Sequence, residues 1–181
     1  LKFSVRIRNP KTGANKKKFL IEGKVDGVAT IDGQHWLVEY KNSGQLDQSY
    51  FDKLYLDTQV TSYIYGAQRA LGITLAGVIY RGIRKPTIRQ KQKETLEEYF
   101  ARLEADYLDP ERRDHYFAEA KLYRSQDDLH AFEQELWDYT QQYLFDKRCD
   151  CHMRNTPRWL DWGKCDFMPI CMQDAGWEAL F

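Results

Sequence analysis

The chain has 181 residues, of which 43% are hydrophobic, and its 27 basic and 27 acidic side chains give a formal net charge of zero. This length and apolar content suit one compact domain, and we expect neither a membrane span nor a signal peptide. The sequence has no Gly-rich phosphate loop of an ATP-driven motor and no evident Ser-His-Asp hydrolase set. Any catalysis is therefore expected to use a metal ion.

The first predicted element is a β-hairpin built on Asp32-Gly33. The flanking runs 23–31 and 34–41 read as strands, and a two-residue Asp-Gly loop is a strong hairpin signal. A loop of this length makes paired positions sum to 65, which places Asp26 opposite Glu39. Lys41 follows Glu39 by two residues and is predicted to share its strand face, so that the three side chains form one cluster.

The two opposed carboxylates require a compensating partner, because like charges across a strand pair destabilise the sheet. A divalent cation would supply it, since Mg²⁺ is commonly held by one or two carboxylates and keeps several waters. Lys41 would then orient an attacking water or meet the charge of a phosphate. The alternative is a solvated hairpin face on which Lys24 and Lys41 offset the acids. Apolar neighbours such as Leu37 favour the metal site, because polar groups in such surroundings usually have a specific partner.

A helix and a strand are predicted after the hairpin. Residues 55–71 show helical apolar spacing and end at Gly72, and residues 74–80 read as a short buried strand. Gln59 and Tyr63 are four residues apart and therefore share one helix face. Hairpin, helix and strand together predict an α/β core in which a sheet is backed by a helix.

Basic residues concentrate directly after this strand, whereas acidic residues concentrate further along the chain. Because loops at the end of a sheet commonly carry function, we expect four of the basic side chains to follow the phosphate backbone of a nucleic acid. These residues are Arg81, Arg84, Lys85 and Arg89. The alternative is a solvated loop and helix face. Two further helices are predicted over residues 91–108 and 127–144.

Three segments, 21–28, 36–41 and 59–63, resemble the PD-(D/E)XK nucleases. Within that superfamily they resemble the RecB-like group, which includes CRISPR adaptation nucleases and many phage exonucleases. The segments read Ile-Glu-Gly-Lys-Val-Asp-Gly-Val, Trp-Leu-Val-Glu-Tyr-Lys and Gln-Val-Thr-Ser-Tyr. The resemblance implies a restriction-endonuclease-like α/β core with a central mixed β-sheet flanked by helices, followed here by a helical C-terminal extension.

The resemblance also implies a role for each acid and for the lysine. Asp26 and Glu39 would bind Mg²⁺ or Mn²⁺ together with the backbone carbonyl of Tyr40, and Lys41 would assist the nucleophile. The implied activity is a deoxyribonuclease, an exonuclease in recombination, repair or phage DNA processing, in the cytoplasm of a bacterial or phage-infected cell. A catalytically inactive DNA-binding module of the same fold and a restriction-type endonuclease are the alternatives.

Further implications concern the helix and the start of the chain. Gln59 and Tyr63 would support the lysine or the substrate.

Relatives carry an earlier helix whose histidine or glutamate completes the metal site, whereas no histidine precedes His35 here. We therefore expect one nuclease domain over residues 1–181, with its core at about 1–90 and its extension at about 91–181, that lacks an N-terminal segment or its first ligand. Glu22 would be a substitute ligand or a solvated acid. A larger polypeptide, or a helicase or recombination partner, is a further expectation.

All four cysteines lie in the last 33 residues. Clustered cysteines in an intracellular protein indicate a metal or cluster site. The spacing from Cys165 to Cys171 resembles the end of several RecB-like nucleases, in which a [4Fe-4S] cluster fastens this region. The resemblance implies a cluster held by Cys149, Cys151, Cys165 and Cys171, although Trp162 stands where relatives often have a cysteine. A Zn²⁺ site and reduced structural thiols are the alternatives.

Overall fold

A computed structural model describes residues 1–150 of the protein together with Met168 and Met172. The chain divides into two compact units, residues 1–138 and 139–181. The described strands are β1 (Lys2–Arg8), β2 (Asn15–Lys24), β3 (Gly27–Ile31), β4 (Gln34–Ser43), β5 (Leu75–Arg84) and β6 (Phe117–Leu122). The described helices are α1 (Gln48–Leu54), α2 (Thr58–Leu71), α3 (Leu96–Leu108), α4 (Arg113–Tyr116) and α5 (Gln126–Cys149), with a 3-10 turn at Pro110–Arg112.

A mixed four-stranded sheet forms the centre of the first unit. Its strand order is β3-β4-β5-β6, with β4 and β5 parallel and the two outer pairs antiparallel. Strands β1 and β2 form a separate antiparallel pair, the β1–β2 ribbon. The predicted α/β fold with a central mixed sheet flanked by helices is thereby confirmed.

The Asp32-Gly33 hairpin forms in the predicted register. All pairs from Gly27↔Val38 to Ile31↔Gln34 have positions that sum to 65. Both turn residues have positive φ, 50° at Asp32 and 76° at Gly33, as a two-residue hairpin turn of type I′ requires.

The predicted single strand over 23–31 is wrong in its first half. The chain leaves β2 after Lys24 and enters β3 only at Gly27. Asp26 therefore lies at a bend, one step beyond the regular pairs of the hairpin, and not within the predicted Asp26–Glu39 pair.

Helix α2 connects the parallel strands β4 and β5 and packs against β5 and the β1–β2 ribbon. Asp57 caps its start by accepting the backbone N–H groups of Gln59 and Val60, and Gly72 ends it in the left-handed conformation with φ 66°. The predicted end of this helix is confirmed. Its predicted start at residue 55 is three residues early, because Tyr55 is the C-terminal cap of α1.

The ribbon packs against α2 through one aromatic side chain. Phe3 of β1 is 5% exposed, and its ring fills the space that a Cβ atom at Gly23 or Gly66 would need. The same ring contacts Tyr63 edge-on, with 6.2 Å between the ring centroids. Phe3 thereby couples the ribbon to the helix that carries two of the predicted site residues.

The helices after β5 differ from the prediction at their ends. Helix α3 begins at Leu96 and not at residue 91, because Thr95 and Glu98 form a capping box that fixes its first turn. Helix α5 runs from Gln126 to Cys149, beyond the predicted 127–144. Within the residues that the structure describes, no helix combines the length and apolar character that a membrane crossing requires.

Candidate active site

Glu39 and Lys41 lie two residues apart on β4 and form an ion pair. The Nζ atom of Lys41 is 2.6 Å from Oε1 of Glu39. Glu39 is only 5% exposed, and its second oxygen, Oε2, is buried without a hydrogen-bond partner among the described residues. Buried polar atoms are nearly always paired, so this oxygen marks a position where a partner is required.

Asp26 approaches the same strand from the bend between β2 and β3. Its Oδ2 atom accepts the backbone N–H of Tyr40 at 2.9 Å, so the carboxylate is held against the main chain between Glu39 and Lys41. Asp26 is exposed whereas Glu39 is buried, and the regular pairs of the hairpin end at Gly27↔Val38. The predicted direct pairing of the two acids within the sheet is therefore not formed.

The charges of these residues act on one another and on Tyr63. Burial opposes the charge of Lys41, but its hydrogen bond to Glu39 and the negative charges of Glu39 and Asp26 outweigh burial and raise the pKa of the ammonium. Burial, followed by the charge of Glu39, also raises the pKa of the Tyr63 phenol, although Lys41 opposes the shift. Both groups therefore keep their protons at neutral pH and are able to donate hydrogen bonds.

The structure thus brings Asp26, Glu39, Lys41 and Tyr63 into one electrostatic cluster. Gln59 lies in the first turn of α2, on the face that Tyr63 shares, and is exposed. Its side chain makes no hydrogen bond to any described residue, so the predicted support of Lys41 by Gln59 is not formed in this state.

A pair of tyrosines beside Glu39 was not identified from the sequence. The parallel register places Tyr80 of β5 next to Glu39, and the Tyr80 hydroxyl is 3.0 Å from that of Tyr50 in α1. Burial and the hydrogen bond to Tyr50 raise the pKa of Tyr80 far above its ordinary value. A parallel register is set by the crossover helix and not by a turn, so the sequence offered no signal for this pairing.

Two of the predicted DNA contacts lie on a strand, because β5 continues to Arg84. The expectation of a loop is therefore wrong for Arg81 and Arg84. The guanidinium of Arg81 lies 2.8 Å from Glu119 of β6, and Arg84 donates to the backbone carbonyl of His115 at 2.8 Å. Both side chains are thus engaged within the protein, and their contact with DNA stays a prediction.

The other two predicted DNA contacts, Lys85 and Arg89, follow β5 and are exposed. Of the predicted cluster ligands, Cys149 is the exposed last residue of α5. The remaining three, Cys151, Cys165 and Cys171, lie outside the described residues. Binding of DNA by this segment and of a cluster by these cysteines both stay predictions.

The donor atoms of the site suit a hard divalent cation. Residues 1–150 contain no group of three or more His, Cys, Asp or Glu side chains able to hold a metal, and ligation by Asp26, Glu39 and the carbonyl of Tyr40 stays a prediction. Mg²⁺ is usually bound by one or two carboxylates, several waters and substrate phosphates, and the unsatisfied oxygen of Glu39 fits that pattern. Glu22 lies on β2, four residues before Asp26, and is exposed, so its part as a substitute ligand stays a prediction.

Comparison with known proteins gives one result for the family and none for single relatives. A family model described as the PD-(D/E)XK nuclease superfamily matches residues 2–172, which include every element around the candidate site. No curated protein and no solved structure matches the chain significantly. The RecB-like resemblance of the three motif segments is consistent with the family match. On this match, together with the mixed sheet, the chain belongs to the PD-(D/E)XK nuclease superfamily.

Proposed function

We propose that the protein is a divalent-metal-dependent deoxyribonuclease in which Asp26, Glu39 and the carbonyl of Tyr40 hold Mg²⁺ or Mn²⁺. The observation that carries this proposal is the buried carboxylate of Glu39, which has Lys41 on one oxygen and no described partner on the other. Leaving a buried acceptor unsatisfied costs about 1–3 kcal/mol, more when the group is charged. A cation bound at Oε2 would remove that cost. No described side chain donates a hydrogen bond to this oxygen.

The side chains around the acids suit hydrolysis of a phosphodiester. A divalent cation supplies a water of lowered pKa and polarises the scissile phosphate. Lys41 keeps its proton and would orient the water or stabilise charge on the phosphate. Tyr63 offers a protonated phenol from the neighbouring helix, and Gln59, exposed on the same helix face, is free to contact the substrate. The expected product carries a 5′-phosphate.

The finer features of the activity follow the family resemblance. We propose an exonuclease that acts on DNA in recombination, repair or phage DNA processing. Lys85 and Arg89 are proposed DNA contacts because both are exposed after the strand that lies beside the site.

A [4Fe-4S] cluster held by the four cysteines is proposed on the spacing of Cys165 and Cys171. Iron analysis of anaerobically purified protein tests this proposal.

The decisive experiment follows degradation of end-labelled linear DNA, single- and double-stranded, in Mn²⁺, Mg²⁺ or EDTA. We expect cleavage in either metal, none in EDTA, and loss of cleavage in Lys41→Ala. Lys53→Ala, which removes an exposed lysine of α1, is the matched control and should cut like the wild type. Full activity of Lys41→Ala, or cleavage in EDTA, would contradict the proposal. Cleavage of closed circular DNA would instead indicate a restriction-type endonuclease.

A catalytically inactive DNA-binding module of the same fold is the second candidate. It is favoured by the small donor set, because only two carboxylates contribute to the site among the described residues. Calorimetric titration with Mn²⁺ separates the two candidates. The nuclease should bind Mn²⁺ in a manner that Glu39→Gln abolishes, whereas the inactive module should show no binding that depends on Glu39.

A further inference from the structure

The β1–β2 ribbon carries two lysines that face each other across its strands. In the antiparallel register Lys2 is the direct partner of Lys24, and both side chains are exposed. Neighbouring positions alternate in burial, with Phe3 and Val25 in the core. The two ammonium groups therefore lie together on the outer face of the ribbon.

This pair of like charges is uncompensated within the described structure. Directly opposed side chains on an antiparallel pair have Cβ atoms only about 4.5–5.5 Å apart, and like charges there destabilise the pair. Neither Lys2 nor Lys24 forms an ion pair with any described residue. An anion that contacts both ammonium groups would remove the repulsion.

The lysine pair lies next to the proposed metal ligand. Lys24 precedes Asp26 by two residues, about 6.5 Å in an extended chain, and both are exposed while Val25 between them is buried. An anion held by the lysines therefore lies close to a phosphate that a cation at Asp26 would bind.

The surface at this end of the ribbon is a groove. Its volume is about 510 Å³, and Lys2, Phe3, Ser4, Glu22, Gly23 and Lys24 line it. Glu22 is the partner of Ser4 in the next outward-facing pair, so one negative charge follows the two positive ones. Glu22 thereby separates the Lys2–Lys24 pair from the other basic side chains of the ribbon, such as Arg6.

We propose that the Lys2–Lys24 end of the ribbon binds a backbone phosphate of the DNA close to the scissile one. This proposal rests on the proposed nuclease function and adds a substrate-positioning surface to it. The ammonium groups of this surface differ from the guanidinium groups of Arg81 and Arg84, which are already bound by Glu119 and the His115 carbonyl. Glu22 repels the next phosphate along the ribbon and so marks the edge of the surface.

The test measures binding without catalysis, by fluorescence anisotropy of a labelled DNA duplex in EDTA over a series of salt concentrations. Lys24→Gln should weaken binding by roughly threefold to tenfold and lower the salt dependence by about one phosphate contact. Glu22→Gln should tighten binding, because it removes the repulsive charge. Lys11→Gln, in the turn at the far end of the ribbon, is the control and should bind like the wild type.

Thermal unfolding of the same variants separates lost contact from lost fold. Lys24→Gln removes the repulsion of Lys2, so its midpoint should equal or exceed that of the wild type. If the midpoint falls instead, Lys2→Gln must reproduce the loss of affinity at an unchanged midpoint, or the proposal is overturned. It is also overturned if Lys24→Gln and Lys11→Gln share one affinity and one salt dependence.

Cleavage assays in Mn²⁺ distinguish this proposal from the one on which it rests. If the wild type cuts DNA, Lys24→Gln should raise KM more than it lowers kcat, since it acts on binding and not on the reacting atoms. If the wild type binds DNA and does not cut it, the nuclease function fails. The anisotropy series then still decides whether the lysine pair contacts phosphate.

Discussion

Two buried glutamates in the same compact unit have opposite surroundings. Glu133 of α5 is 4% exposed and accepts two hydrogen bonds from the guanidinium of Arg8, at 2.8 and 2.9 Å, and one from the Tyr65 hydroxyl at 2.8 Å. Glu39 is 5% exposed, forms one ion pair through Oε1, and has no described hydrogen-bond partner at Oε2. The two glutamates are similarly buried but differ in their hydrogen-bond partners. This difference supports a structural role for Glu133 and agrees with the proposal that Glu39 binds a metal ion.

The two carboxylates differ in whether the free protein already carries the cost of an unsatisfied buried group. Removal of a fully paired buried carboxylate leaves its cationic partners unpaired and therefore destabilises the protein. A buried carboxylate with an unpaired oxygen instead already lowers the stability of the free protein. Removal of Glu133 should therefore affect folding, and removal of Glu39 should affect function. The following predictions test that separation, beginning with the largest effect.

Glu39→Gln should abolish metal-dependent cleavage, with a loss of about a thousandfold or more, because a neutral amide neither holds the cation nor completes the charge balance with Lys41. Its free energy of unfolding should change by less than about 1 kcal/mol, since the amide keeps the shape of the side chain. Single-turnover cleavage and urea unfolding measure the two effects. Glu135→Gln, on the exposed face of α5, is the control, and a strong loss of stability in Glu39→Gln would break the comparison.

Mn²⁺ should stabilise the wild type and not Glu39→Gln. A ligand that binds only the folded state adds about 2.7 kcal/mol at a hundred times its dissociation constant. The expected readout is a rise in the thermal midpoint with Mn²⁺ concentration that disappears in the variant. An equal rise in both proteins would show that Mn²⁺ binds elsewhere.

Glu133→Gln should lower the free energy of unfolding by about 2–3 kcal/mol, because it weakens charge-assisted hydrogen bonds to Arg8 and Tyr65. Cleavage per folded molecule should be unchanged at a temperature where the variant is folded. Urea unfolding and a cleavage assay on the same preparation supply both numbers. The outcome that contradicts the comparison is normal stability with reduced activity.

The contribution of Glu133 should depend on pH. Burial alone would raise the pKa of Glu133, but hydrogen bonds from Arg8 and Tyr65 and the charges of Arg8 and Arg69 outweigh it and hold this pKa below the ordinary value of 4.5. The stabilisation is therefore fully present above pH 4.5 and is lost as the pH falls through the lowered pKa of the folded state. Urea unfolding between neutral and acidic pH should show a difference in the free energy of unfolding between wild type and Glu133→Gln. This difference should narrow as the pH falls below 4.5. A gap of constant size would contradict this account.

Local signals predicted the part of the site that a tight turn controls. The two-residue loop fixed the register of β3 and β4, and the alternation of a strand placed Glu39 and Lys41 on one face. Gly72 marked the end of α2 correctly. These features depend on residues close together in the chain, which is where sequence patterns carry most information.

The features that were missed depend on distant partners. Strand β6 reads Phe-Ala-Glu-Ala-Lys-Leu, and alanine, glutamate and lysine are weak strand formers that are held here by pairing with β5. The basic composition after Tyr80 suggested a loop, whereas the cross-strand contact of Arg81 with Glu119 keeps the strand regular. The orphan oxygen of Glu39 is likewise a property of packing that no spacing in the sequence expresses.

The Asp32-Gly33 turn also bears on the order in which the protein assembles. Asp26, Glu39 and Lys41 all belong to the segment that this short loop closes, and hairpins of this kind form in about 1–10 μs. We expect strand β5 and Tyr63 to join later, because closing the longer crossover through α2 costs more chain entropy. The acids and the lysine lie on one short continuous segment, and a break in the chain outside that segment would leave all three together.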